Sequence, residues 1–187
     1  MRLRGGLLVS ILSLGVVFVV SACTQPGAVT GGGYIPSADG IPGDKANYGF
    51  NARRCDFSQP ATGHFNYHDM HATGFGPQGV KMNGSIEDVA LCVQSSSTSS
   101  AACGFCTSQS VFGTPPNPSN VYGIRSSYDS TNPNISGSGE LFSCVVDNGQ
   151  GKNAPEDQIA LNVLSGPFTG YHNSGLAQGN IQAHDCP

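Results

Sequence analysis

Ala46-Asn47-Tyr48-Gly49-Phe50-Asn51-Ala52 alternates apolar and polar side chains without a break. Successive side chains of a strand point to opposite faces, so Ala46, Tyr48, Phe50 and Ala52 share one face of a strand within Asp44–Cys55. Phe65 and Tyr67 do the same in Gly63–Asp69. Val80, Met82, Gly84 and Ile86 follow, and the phase then moves to Val89, Leu91 and Val93. A change of phase inside one strand predicts a bulge, here at Glu87–Asp88. Later runs are Phe142, Cys144 and Val146, then Ile159, Leu161 and Val163, then Ile181 and Ala183. Gly, Asn, Asp or Pro bounds each run, and no segment keeps a helical period. The pattern predicts an all-β chain: an antiparallel β-sandwich, or a barrel-like closure of it, with roughly seven to nine strands.

Composition agrees. The chain has 26 Gly and 12 Pro, and only 11% of it is charged. Helices favour Ala, Leu, Glu and Lys, whereas this mixture favours strands joined by turns. Ser95–Ser100 is almost all Ser and Thr, Gly113–Asn120 carries three prolines, and Ser126–Gly139 is rich in Ser, Asn and Gly. Such stretches bury little apolar surface. Ser95–Gly139 therefore reads as a long Ser/Pro/Gly-rich loop insertion, with Val111–Phe112 and Val121–Ile124 available to pair as an edge strand.

The N-terminus has a different character. Arg2 and Arg4 precede the uncharged apolar run Leu7–Val20, and Val20-Ser21-Ala22-Cys23 ends it. The run is too short to span a bilayer and has the length of an export signal. Its end resembles the lipobox of bacterial lipoproteins. That resemblance implies cleavage after Ala22, a diacylglycerol on the Cys23 thiol, and an acylated amine that holds the protein on a membrane. Residues 1–22 are then the signal, 23–30 the anchor and tether, and 31–187 one domain. Thr24, rather than Asp, after the cysteine favours the outer membrane, with the domain facing periplasm or cell surface. Without Arg2 and Arg4, six basic residues face twelve acidic ones. An acidic surface argues against nucleic acid as a partner.

With Cys23 given to lipid, six cysteines remain: Cys55, Cys92, Cys103, Cys106, Cys144 and Cys186. An even number in an exported chain reads as three disulfides, for which there are 15 connectivities. The simplest arrangement clips Cys55 to Cys186 and shares two bridges among the inner four. A Cys103–Cys106 bond is the least favoured inner pairing, because so short a loop restrains few unfolded conformations. Cys103-Gly104-Phe105-Cys106 also has the spacing of thiol oxidoreductases, but its flanks lack the βαβ unit that chemistry uses.

The order of several motifs is similar to that of a known family. Gly31-Gly32-Gly33-Tyr34-Ile35-Pro36 opens the domain, followed by the Ala46–Ala52 run and Gly63-His64-Phe65-Asn66-Tyr67-His68-Asp69. Gly79-Val80-Lys81-Met82-Asn83-Gly84, Val146-Asp147-Asn148-Gly149 and Gly179-Asn180-Ile181-Gln182-Ala183-His184 complete the series. This resembles the post-choice-of-anchor all-β domain of bacterial exported and surface proteins. The resemblance implies a β-sandwich outside the cytoplasm and no particular reaction.

Two groups of side chains could hold an ion. His64, His68 and His71 cluster near Asp69, and His184 could join them from the last strand. Imidazoles with a carboxylate as ligand or orienter suit zinc or copper. Residues four apart on a strand lie roughly 13 Å apart, so the set needs a bend near Asp69. Asp147 and Asn148, with Glu156 and Asp157, offer the oxygens calcium prefers, although an Asp-Asn-Gly hairpin turn also accounts for them. No serine-hydrolase elbow, phosphate loop or dinucleotide fingerprint is present. The expected role is non-enzymatic: a lipid-anchored envelope protein that binds an unidentified protein or envelope partner or serves structure, with metal binding as the alternative and thiol oxidoreduction behind it.

Overall fold

The computed structural model describes residues 25–92, 100–106, 112, 121–151 and 153–186. Cys23 and much of the expected insertion lie outside these residues. The elements in chain order are β1 (Gln25–Pro36), β2 (Lys45–Arg54), β3 (Thr62–Asp69), β4 (Val80–Leu91), α1 (Ala101–Cys106), β5 (Val121–Ser130), β6 (Ser138–Val146), β7 (Gln158–Val163), β8 (His172–Leu176) and β9 (Gln178–His184). One 3-10 turn, Thr73–Phe75, sits between β3 and β4.

All strands among the described residues belong to one antiparallel sheet ordered β8-β7-β6-β5-β4-β3-β2-β1-β9. From β1 to β8 each strand pairs with its successor, an up-and-down meander that bends back on itself. Only Ala177 separates β8 from β9, and the two run as one interrupted strand. Its first half pairs with β7 and its second half with β1. The register steps from Gln25 to Leu91, Tyr122, Val145, Ile159 and Gly175. Gly175 then packs against Ile35, ten residues further along β1 than the start. Such a stagger is what a tilted, nearly closed sheet requires. The barrel-like alternative is therefore realised, and two separate stacked sheets are not.

The interior follows the alternation. Ala46, Tyr48, Phe50 and Ala52 face inward with Phe65, Tyr67, Val80, Met82, Ile159, Leu161, Val163 and Ile181. The register slips between Ile86 and Asp88, where the bulge was expected, and turns Val89 inward. Gly31 leaves room for the Phe50 ring: a Cβ there would lie 2.5 Å from Phe50 Cζ.

Two expectations are corrected. The first strand starts at Gln25, so residues 25–30 form sheet rather than tether. Val121–Ile124 is not an edge strand, because it opens β5, which lies between β4 and β6 with Val121, Ile124 and Tyr128 buried. The β5 polar residues Arg125 and Asp129 are simply on the outer face. In β6 the inward residues are Leu141, Ser143 and Val145, while Cys144 and Val146 join a second, outer cluster.

That outer cluster explains the Cys-x-x-Cys spacing. Residues three apart on a helical turn share a face, so Cys103 and Cys106 both look down from α1 onto the sheet. Cys103 bonds to Cys92 beyond β4, and Cys106 bonds to Cys144 in β6. Gly123 beneath them has no room for a side chain, since a Cβ would approach Cys103 N to 2.8 Å. The third bridge joins Cys55 to Cys186 across 131 positions and clips the chain end to β2. Chain-entropy arguments assign these bridges about 3, 4 and 5 kcal/mol in that order.

Candidate functional site

The residues singled out in the sequence are spread over the barrel. Asp69 ends β3 with no exposed surface. Ser37 Oγ, the Ala38 and His71 amides and the Tyr171 hydroxyl all donate to its carboxylate. Asn173 Nδ2 donates to Tyr67 Oη, 2.9 Å away, and the Tyr67 and Tyr171 hydroxyls lie 2.8 Å apart. A chain of donors thus ends on a buried charge at one end of the barrel. Burial holds the Tyr67 and Tyr171 phenols well above the usual range, and the Asp69 charge adds to it. With four donors on Asp69, this constellation knots the loops after β1 and β3 to β8.

The four residues considered for calcium form the seam of the barrel. The outer edge of β9 would leave amides unpaired, and side chains supply their acceptors. Asp157 Oδ2 takes the Ile181 amide at 2.8 Å, and Asp147 Oδ2 takes the Ala183 amide at 2.7 Å. Their other oxygens accept from the Asn148 and Gly149 amides. Asn148 Nδ2 donates to the Glu156 carbonyl, and Gln178 Nε2 to Glu156 Oε1. Burial and then the Asp157 charge push the Tyr48 phenol up to about 12.

The histidines do not converge. His64 and His68 stand four apart on a regular strand, His71 lies past its end, and His184 is on β9. His71 Nδ1 approaches Asp44 Oδ2 at 3.1 Å, and His184 Nε2 meets Thr30 Oγ1 at 2.8 Å. Among the described residues, no three His, Cys, Asp or Glu side chains are grouped to hold a metal.

His68 instead lines an open cleft of about 470 Å³ on the outer face of β3 and β4. The register sets Asn66 opposite Asn83 and His68 opposite Lys81. Thr131, whose amide donates to the Lys81 carbonyl, edges the cleft. The His68 Nε2 atom is shut off from solvent and has no hydrogen-bond partner among the described residues. Burial, and then the Lys81 charge, hold the His68 imidazole below its usual pKa, with Asp69 acting weakly the other way. Lys81 and Asn83 escaped the sequence reading. Their only signal was outward phase on β4, which gains meaning once the pairing with β3 is known.

No family model, curated protein or solved structure matches the chain.

Proposed function

We propose that this chain is a lipid-anchored protein of the bacterial envelope, held through Cys23 on the outer membrane, with a binding rather than a catalytic role. The observation that carries this reading is the uncharged run Leu7–Val20 behind Arg2 and Arg4 and its Val20-Ser21-Ala22-Cys23 ending, which resembles a lipobox; β1 then starts at Gln25. Two residues span at most about 7 Å, so lipid on Cys23 would hold the barrel against the bilayer without a tether. The end bearing Gln25, Arg54 and Leu91 would then face the membrane, since the register keeps these residues together. The three disulfides suit an oxidising compartment. The binding role is supported by how the carboxylates are used. Both oxygens of Asp69, Asp147 and Asp157 accept hydrogen bonds that hold the fold, while the outer cleft keeps polar groups open.

The test is Cys23→Ser with metabolic palmitate labelling and membrane fractionation. The wild type is expected to take label and sediment with outer membrane, and the variant to remain unlabelled and unprocessed. A labelled or normally processed variant would overturn the anchor, and wild type confined to inner membrane would overturn its placement.

A further inference from the structure

We infer that the tip of the β2–β3 hairpin, residues 55–61, is a membrane-contact site that seats the Phe57 ring in the headgroup region of the phospholipid bilayer beside the lipid on Cys23. The inference deepens the anchor proposed above and rests on it.

The strand pairing puts the tip within reach. β1 is paired with β2 as far as Gly27, opposite Arg54, and then with β4 at Pro26 and Gln25. The hairpin therefore leaves the ladder at Arg54, next to the residues that follow Cys23. The four steps from Cys23 to Gly27 span at most about 14 Å, and neighbouring strands lie about 5 Å apart. Acyl chains on Cys23 would enter the hydrocarbon and hold that residue at headgroup level. Apolar side chains of surface-bound segments settle about 5–10 Å into the same zone, a depth that Phe57 can reach over these distances.

The tip is braced around an open ring. Phe57 is 40% exposed. The Arg54 guanidinium lies over it, 5.1 Å from the ring centre, and donates to the Phe57 and Gln59 carbonyls and to Asp88. The Asp56 carboxylate takes the Ser58 amide, and its carbonyl takes the Gln59 amide. Cys55 is bonded to Cys186. These contacts fix the loop and leave much of the ring uncovered. Scattered apolar side chains on a surface are ordinary. Ile41, Met70 and Leu164 are of that kind, on loops after β1, β3 and β7 at the far end of the barrel. Among the large apolar side chains exposed on described loops, Phe57 alone stands at the end bearing Gln25. Charge does not select the lipid there. Arg54 is paired with Asp88, and Arg53 shares the neighbouring cleft with Asp185. The contact is therefore apolar and indifferent to headgroup charge.

The chain has no tryptophan. Phe57→Trp thus supplies a single indole at the tip, and Ile41→Trp one at the far end, roughly 35 Å of strand away. Both replace exposed side chains, and an unchanged urea midpoint certifies the fold of each; Ser58→Trp, at the next exposed position, repeats the tip reading independently. The lipidated variants are reconstituted into phosphatidylcholine vesicles with or without brominated acyl chains, which quench an indole only on close approach. Phe57→Trp is expected to shift its emission to the blue and to lose most of it to brominated lipid. Ile41→Trp should keep its aqueous emission. Adding phosphatidylglycerol should change neither result. Unquenched Phe57→Trp in chains that float with the vesicles would overturn the tip, leave the anchor standing and assign the ring to a protein partner. Equal quenching at both ends, or quenching only with phosphatidylglycerol, would overturn the apolar contact as well. A chain that takes no palmitate and does not float overturns anchor and tip together.

Discussion

Consider Asp157→Ala. Asp157 is 7% exposed and its carboxylate is the acceptor for two amides, Ile181 at 2.8 Å and Asn148 at 2.9 Å. Ile181 is fully buried, so its amide has no water to turn to when the carboxylate goes. A hydrogen bond to a charged group contributes about 1.5–3 kcal/mol, and a buried donor left unpaired costs a similar amount. The Asn148 amide is nearer the surface and recovers part of its loss through solvent. The net cost is about 3–5 kcal/mol, which in a chain of this size lowers the melting temperature by about 6–20 °C. Asp157→Asn keeps one acceptor oxygen and should fall about midway. Urea unfolding of the oxidised protein measures the loss, and amide exchange locates it, with Ile181 and Ala183 exchanging faster while the β3–β4 ladder is unchanged. A melting shift within a degree, with Ile181 still protected, would show that the seam is closed by something other than this carboxylate.

Three further outcomes are expected. Under graded reduction without denaturant, Cys55–Cys186 should open first, because Cys92, Cys103, Cys106 and Cys144 are at most 1% exposed; mass mapping of alkylated peptides would contradict this if an inner bridge opened earlier. Tyr48, Tyr67, Tyr122, Tyr128 and Tyr171 all ionise above the usual range because of burial. A raised phenol pKa stabilises the fold fully below the unfolded value of about 10, and that contribution is lost as pH climbs to the folded values. Tyrosinate absorbance should therefore rise together with unfolding above about pH 10, and ionisation of these five in the native protein would refute it. Asp69→Ala leaves four donors without their acceptor and should cost at least about 3 kcal/mol by denaturant unfolding, whereas a loss under 1 kcal/mol would deny the knot its structural weight.

Legibility differed from strand to strand for physical reasons. β2, β3 and β7 were plain in the sequence because each has one apolar and one polar face, and the bulge in β4 showed as a phase shift. β1 was hidden because Gly27 and Gly31 occupy places where Tyr122 of β5 and Phe50 of β2 fill the space. β5 was hidden because Ser126 faces inward, so its alternation looks like loop composition. In β6 the run Phe142, Cys144 and Val146 was seen correctly, but it faces α1 outside the barrel: the Phe105 and Phe142 rings lie 6.1 Å apart. No local pattern announces a helix riding on a sheet. The same limit governs the site. His68 could be named from sequence, but its partner Lys81 is fixed by register, which arises only from pairing. The clip from Cys55 to Cys186 was legible because one cysteine follows an early strand and the other ends the chain.

The segment that runs through β8 and β9 sets an order of events. β1 emerges first from any machinery that makes or exports the chain, yet one of its edges is paired only by β9. Thr30 and His184, which meet across that pairing, are 154 residues apart. Until the last ten residues arrive, β1 offers a bare row of amides and carbonyls, the kind of edge that recruits stray strands. Long-range pairing of this kind is slow to form, so closure is the final step of folding. A chain truncated before Gln178 would keep the β1–β8 meander but not its seam, and should aggregate along the exposed edge of β1 rather than lose its core.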